Sequence, residues 1–516
     1  MRSGEKMSKE ITVSISILTS GKKKELEKCL QSLQTFRREV STELIIVDTG
    51  CDAEHRKIIE RYADQIVDFK WCDDFAKARN AGLEKACGKW FLYVDDDEWF
   101  EDMSQIIDFF CTGEYREYQY AMYIQRNYED FSGSRYHDAP VGRMIQLDEN
   151  THFIYPIHEC FADVGSTVKY LGDYVHHYGY VYTDEESKLA HAKRNIEPLK
   201  KLYMQEPENL RHVLQLMQEY SVLREYEKVI SMGVAAIERY HSDDNEQIYY
   251  FNSLLVLTLL AMNKLKQTKE FVKLGNRLAD HPYIGKLAEA YVHALLSYGY
   301  RETEEYQKSV ESVGTYLELL EEYRSDATLF RPFETGILSP CFREEVYHST
   351  LENGIMSAIS TGNLKQADAW NALLGWEQGK LAVSKKLIKD ILGTLTCSDS
   401  EEQYALSMCT RLLNREQVAE YAEKVLEKML HELPEEQRRI ALDRWKKILM
   451  QRRMQKDKME LAERDEFFRL AGQVKHQAKE LLIQERKSEA RQILQQLQTM
   501  LPEDEEVHEL LQKAEG

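Results

Sequence analysis

Along the first third of the chain, short runs of β-branched and apolar residues alternate with stretches whose apolar positions recur every three or four residues. This alternation predicts βαβ units and a mainly parallel sheet. Residues 11–18, 43–47, 65–69 and 90–94 read as strands, and residues 23–36, 53–63 and 76–86 as helices. The fourth strand runs straight into Asp95-Asp96-Asp97-Glu98. Four acidic side chains are thus expected at the C-terminal edge of a central strand, the edge at which open α/β sheets bind ligands.

Beyond Thr183 the strand pattern stops, and amphipathic helices with short polar connections continue to the end. Several read as helix pairs with a small or aromatic residue near the turn: 219–238 around Tyr220, Tyr226 and Ala235, 254–278, 361–374 around Gly362 and Ala367, and 485–497 around Ala490, followed by Leu501-Pro502. Pairs of this kind resemble tetratricopeptide repeats, units of about 34 residues. An independent helical bundle is the alternative. Residues 330–342, with Pro332, Gly336 and Pro340, read as a loop, and the charge-dense 451–469 as a long exposed helix. The expected parts are an α/β domain over 1–182, a helical-repeat domain over 183–450, and a charged helix with terminal helices over 451–516.

Composition narrows the classes. The 516 residues are 43% hydrophobic and 30% charged, which describes folded domains, more than one at this length. A net charge of -20 argues against nucleic acid as a partner, since phosphate binding draws on clustered Lys and Arg. The nine cysteines show no C-x-x-C spacing, hence neither a zinc site nor a disulfide framework. The polar start MRSGEKMSKE leads into ITVSISIL, too short and hydroxyl-rich for a signal peptide or membrane span, so a cytoplasmic protein is expected.

The acidic run suits a divalent cation, Mn²⁺ or Mg²⁺, because hard oxygen donors hold such ions and the ion can neutralise a departing diphosphate. Asp95 and Asp97 would face the same way if the segment stays extended. A solvated loop fits a bare acidic triplet equally well; the order of the surrounding segments decides.

SISILTS, a helix, ELIIVDTGCD and DDFAKARNAGLEKACGKWFLYVDDDEWF follow one another over the first 180 residues or so. This series resembles the family-2 glycosyltransferases of GT-A fold. The resemblance implies that Thr19 lies beside the nucleotide, that Asp48 hydrogen-bonds the base, and that Arg79 and Asn80 lie over the nucleotide. It further gives Asp95 a place at the ribose or metal, Asp96 one beside nucleotide or sugar, and Asp97 that of a metal ligand. A strand-end cap for Asp48 and a helix cap for Asn80 are the structural alternatives.

Tyr155-Pro156-Ile157-His158-Glu159, His177-Tyr178-Gly179-Tyr180 and HAKRNIEPLKKLYMQEPEN resemble segments of a bacterial subgroup in which the transferase domain is joined to tetratricopeptide repeats. That subgroup includes enzymes that glycosylate Cys or Ser in ribosomally made peptides, and others placed near flagellin or surface-polymer genes. The resemblance makes Glu159 the candidate general base, with Glu129 and Asp130 as alternatives, and lets His177 complete the metal shell, with His176 competing. The implied activity is inverting, metal-dependent transfer of a hexose or N-acetylhexosamine from a UDP-sugar donor to a peptide or protein side chain, Cys, Ser or Thr. A surface polysaccharide or lipid-linked glycan is the alternative acceptor, and a non-catalytic scaffold the alternative of another class. A nucleotidyltransferase would need a Gly-rich phosphate loop after the first strand, and SGKKKE is a poor one; Lys22, Lys23 and Lys24 read as a solvated helix start. The helical part is expected to select the acceptor and to form a homodimer.

Overall fold

A computed structural model describes residues 10–179, 181, 184–241, 245–330, 336–375, 383–414 and 416–515, without the side chains of 245, 246, 416, 417 and 455–465. The leader 1–9, Tyr180 of the HYGY segment, the expected boundary at Tyr182 and Thr183, and Pro332 lie outside the described residues.

The first half of the α/β region follows the alternation. Strands β1 (Val13–Thr19), β2 (Thr42–Asp48), β3 (Gln65–Asp68) and β4 (Trp90–Asp95) pair in parallel, interleaved with helices α1 (Leu26–Ser32), α2 (Gln34–Glu39), α3 (Ala53–Tyr62) and α4 (Phe75–Leu83). The expected helix over 23–36 is instead two short ones, α1 and α2, the second reaching Glu39. β4 is central and packed on both faces. Trp90, Leu92 and Val94 join the core formed with Leu26, Leu30, Phe36 and Phe109, while Phe91 and Tyr93 pack with Ala76, Phe153 and Phe161 on the other side. Small residues bring α4 close to the sheet: a Cβ at Gly82 would collide with Ser16 and Val47.

The sheet is not mainly parallel throughout. After β5 (Glu98–Phe100) and α5 (Ser104–Cys111), β6 (Tyr120–Tyr128), β7 (Tyr136–Gln146) and β10 (Val168–His177) complete eight strands in the order β3-β2-β1-β4-β7-β6-β10-β5. The β4–β7, β6–β7 and β5–β10 pairings are antiparallel, whereas β6–β10 is parallel. A small hairpin of β8 (Phe153–Ile154) and β9 (Cys160–Phe161) covers one face.

From Asp184 on, the described residues contain no strand. The helices are α6 (Glu185–Gln205), α7 (Leu210–Val222), α8 (Tyr226–Arg239), α9 (Asn245–Lys264), α10 (Thr268–Ala279), α11 (Lys286–Glu302), α12 (Tyr306–Ser325), α13 (Glu344–Ser360), α14 (Leu364–Ala372), α15 (Lys385–Gly393), α16 (Glu402–Leu413), α17 (Glu416–Glu432), α18 (Glu435–Ile483), α19 (Lys487–Met500) and α20 (Glu505–Glu515). The charge-dense segment is the middle of α18, one helix of 49 residues. Of the expected loop, residues 339–342 form a 3₁₀ turn around buried Cys341. The chain divides into two compact units, Met1–Gly299 with Thr315–Arg343, and Tyr300–Gly314 with Glu344–Gly516.

One turn recurs between paired helices. Arg224, Lys266, Glu304, Gly362 and Glu485 each take a left-handed conformation, and the next residue's N–H bonds back to Tyr220, Met262, Tyr300, Ala358 and Leu481 respectively. This is the Schellman closure, which satisfies carbonyls left open at a helix end. Small residues let neighbouring helices approach: Gly233 of α8 abuts Met217 of α7 and Thr258 of α9 in the first unit, and Gly354 of α13 abuts Trp370 of α14 in the second. The first turns, at Arg224 and Lys266, stand farther apart than the repeat of about 34 residues that the pattern resembles.

Candidate functional site

Strand register sets the level of the site. Thr19 is the partner of Asp48, and Leu18 that of Asp95, so the ends of β2, β1 and β4 lie side by side. The Thr19 hydroxyl donates to Asp96 Oδ2 (2.6 Å) and accepts the Gly21 N–H (2.9 Å). Asp48 acts as the strand-end cap. Its Oδ1 accepts the N–H groups of Gly50 and Cys51, and its Oδ2 meets Arg56 (2.7 Å). Against the burial that raises it, these bonds hold the Asp48 carboxyl below its ordinary value.

Asp95 and Asp97, expected as joint metal ligands, take different side-chain partners. β4 ends at Asp95 and the chain turns through Asp96 and Asp97 into β5, so the alternation of an extended strand is lost between them. Asp95 accepts from Arg79 through Oδ1 and from Arg143 through Oδ2 (2.6 Å). Both guanidinium groups lie 4.4 Å from the ring centre of Tyr93. Burial would raise the Asp95 carboxyl, but Arg143 and Arg79 outweigh it and hold it well below the usual range. Glu98, fully buried, takes Arg143 (3.0 Å), Gln125 and the Asp95 N–H (3.2 Å). Asp96 is the carboxyl that burial, with Asp97 and Asp95 beside it, pushes up to about 7 despite the Thr19 hydroxyl.

Asp97 faces a different set. Its Oδ2 lies 2.6 Å from Lys23 Nζ, and its Oδ1 3.9 Å from His177 Nε2. His177 is brought there because it pairs with Glu98 where β10 meets β5. Its Nδ1 lies 2.7 Å from Asn127 Oδ1; an amide oxygen only accepts, so Nδ1 donates to it while Nε2 faces Asp97. Burial holds this imidazole below its ordinary value. A side chain at residue 179 would strike the His177 ring, which accounts for the glycine of the HYGY segment. His176 points elsewhere: it bonds Tyr128 Oη (2.7 Å) and stacks on Trp99. Among the described residues, no group of three or more His, Cys, Asp or Glu is arranged to hold a metal ion as it stands.

Glu159 reaches the cluster through Arg79, whose Nε donates to Glu159 Oε1 (2.7 Å). The loop that aims it is strained, with Tyr155 and His158 both left-handed, at a cost of about 1–3 kcal/mol each. Contacts on every side hold it. The Phe75 N–H donates to the Pro156 carbonyl (2.9 Å), and Arg211 at the start of α7 donates to the His158 carbonyl (2.7 Å). Asn80 is neither a helix cap nor an open donor, since its amide exchanges two hydrogen bonds with the Phe153 backbone. Glu129 meets Arg343 (3.1 Å), and Asp130 organises the β6–β7 hairpin by accepting from Ser132 and Ser134.

Lys23, expected only as part of a solvated helix start, pairs with Asp97, and Glu98, Arg143 and Asn127 had no individual role assigned from the sequence. Lys23 stands in a run of three lysines that nothing local distinguishes. Arg143 and Asn127 lie on strands the pattern did not reveal.

Acidic side chains, a histidine and two buried arginines thus gather at one strand edge of the sheet. Residues 14–160 match the model of glycosyl transferase family 2. The chain is 23% identical over 266 residues to the SPbeta prophage-derived glycosyltransferase SunS of Bacillus subtilis, covering 49% of this chain and 59% of that one. It thus spans 59% of that relative's length. A TPR repeat-containing protein of Synechococcus elongatus is 31% identical over 100 residues, 18% of this chain and 24% of that one. The crystal structure of residues 1–349 of S. aureus TarS overlays with a TM-score of 0.28 and 11% identity, covering 61% of this chain and 92% of that chain.

Proposed function

We propose that the chain is an inverting glycosyltransferase that moves a hexose or N-acetylhexosamine from a UDP-sugar to a peptide or protein side chain, Cys, Ser or Thr. The observation that carries the reading is the convergence of Asp97, His177 and the Thr19–Asp96 pair at the ends of β1 and β4, inside the region that matches the family model.

One carboxylate and one imidazole nitrogen facing each other suit Mn²⁺ or Mg²⁺, and the Lys23 ammonium against Asp97 supports the fit of a cation there. Asp97 and His177 would hold the ion, which when bound offsets charge on the departing diphosphate. Thr19 and Asp96 line the donor's side of that edge, and Asp48 shapes the loop against which the base would lie. Arg79 and Arg143 keep Asp95 ionised and in place, so it supports the site from beneath. Glu159, fixed through Oε1, offers its second oxygen to the acceptor's proton.

On this reading the donor site belongs to residues 1–182 and acceptor selection to 183–450. α6 to α8 line an open groove with Tyr203, Met232, Arg239 and Tyr240, a surface of the kind that takes extended peptides. Leu442, Leu449 and Met450, exposed on α18, are the surface for the self-association expected of the helical part, which light scattering tests. Among the described residues, no helix is long and apolar enough to cross a membrane.

The test is a panel of UDP-glucose, UDP-galactose and UDP-N-acetylhexosamines assayed for Mn²⁺-dependent hydrolysis. Turnover of one of them, abolished by chelator, is expected. UDP binding without turnover of any of them, with acceptor peptides present, favours the non-catalytic scaffold instead; turnover onto a glycan rather than a peptide moves the acceptor to a polysaccharide or lipid-linked sugar.

A further inference from the structure

Three carboxylates follow one another after β4, and each has its charge balanced differently. Asp95 is held by two buried arginines, Asp96 by a hydroxyl, and Asp97 by a single lysine. The lysine differs from the arginines in kind. Its side chain is 47% exposed, whereas those of Arg79 and Arg143 are 5% and 11% exposed. An ammonium on a flexible four-carbon stem can swing to a new anion without unburying anything.

The base of that stem is fixed. The loop after β1 carries Gly21 in a left-handed conformation with its N–H on the Thr19 hydroxyl. A Cβ at Gly21 would collide with His55 and crowd Cys51, so the loop sits tight against the start of α3. The backbone two residues before Lys23 is therefore anchored while its tip reaches the cluster.

We propose that Lys23 is a ligand for the donor's diphosphate, held on Asp97 until a divalent cation takes that carboxylate. The inference rests on the glycosyltransferase reading and gives it a specificity device. A cation held by Asp97 and His177 would compete with Lys23 for the charge of the Asp97 carboxylate, and so would loosen the ammonium. The loosened ammonium would then be free to add a charged donor to a phosphate beside Asp97. A nucleoside diphosphate would offer oxygens to both the ion and Lys23, whereas a monophosphate, with one phosphate fewer, would gain less.

The experiment is calorimetric titration of the full chain and of Lys23→Met and Lys23→Arg with MnCl₂ alone, and with UDP and UMP in saturating Mn²⁺. Lys23→Met is expected to tighten Mn²⁺ binding several-fold by removing the competitor, and to cut the preference for UDP over UMP about tenfold, the scale of one charge-assisted contact. Lys23→Arg restores most of that preference. Tighter Mn²⁺ with an unchanged UDP preference would make Lys23 only the counter-charge of Asp97 and overturn the proposal. Equal loss of UDP and UMP with a fallen melting temperature would overturn it too, by assigning the lysine to the fold. A parent that binds no UDP with Mn²⁺ fails the glycosyltransferase reading itself, a different outcome from any of these.

Discussion

Arg79 and Glu159 stand 80 residues apart in the chain and meet at 2.7 Å, Nε to Oε1. The same guanidinium holds Asp95, so one buried side chain links the helix after β3, the acidic edge of β4 and the strained loop before β9. Arg79→Lys cannot make both contacts, because an ammonium is a point charge without the planar fork. We expect a loss of about 3–5 kcal/mol in unfolding free energy, as for other broken buried ion pairs, read by urea denaturation. A loss below 1 kcal/mol would mean that the two carboxylates do not depend on the fork.

Asp95 and Asp97 should separate stability from activity. Asp95→Asn leaves two buried guanidinium groups short of a counter-charge and is expected to lower the melting temperature markedly. Asp97→Asn frees only a half-exposed lysine and should change stability by less than about 1 kcal/mol. Differential scanning calorimetry of both variants checks the contrast, and equal melting temperatures would contradict it.

How far the sequence revealed this site follows from which strands are buried on both faces. β2 and β4 carry continuous apolar runs, and β1 alternates Val13, Ile15 and Ile17 with the small buried Ser14 and Ser16, so all three stand out. β7 reads YHDAPVGRMIQ, polar and exposed over its first half and carrying Pro140 and Gly142, so nothing in its pattern signals a strand. The residues it delivers, Arg143 above all, were hidden with it. The shared facing of Asp95 and Asp97 assumed an extended segment, and the chain turns at Asp96 and Asp97. The helix pairs were legible from period, yet four of their five shared turns use Arg224, Lys266, Glu304 and Glu485 in place of glycine, and so carry no turn residue to read.

Glu159→Gln keeps the shape of the side chain and an oxygen for Arg79 while removing the proton acceptor. Turnover is expected to fall by about a hundredfold or more with UDP affinity kept within a few-fold. Steady-state rates beside calorimetry give both numbers. An unchanged rate would move the base to Glu129 or Asp130.

Glu219 tests the brace that α6 and α7 form behind the Glu159 loop. Burial raises its carboxyl above the ordinary value while Asn195 donates to it at 2.6 Å. A raised folded value means the folded state binds the proton more tightly, so stability is full below the unfolded value and declines as pH rises through the folded one. Glu219→Gln accepts the same Asn195 bond without ionising. Its melting temperature should exceed the parent's at neutral pH and converge with it below about pH 4; a variant less stable than the parent at pH 7 would show that the charge is needed.

The central claim is that the edge of β4 binds a nucleoside diphosphate through a cation held at Asp97. Its most direct measurement is calorimetric titration of UDP into the parent and into Asp97→Asn, each with Mn²⁺ and with chelator. Mn²⁺-dependent binding by the parent is expected, lost under chelator and weakened in Asp97→Asn by about a hundredfold, the scale of one charged ligand to a divalent ion. Binding that survives both the chelator and the substitution at the parental level would contradict it.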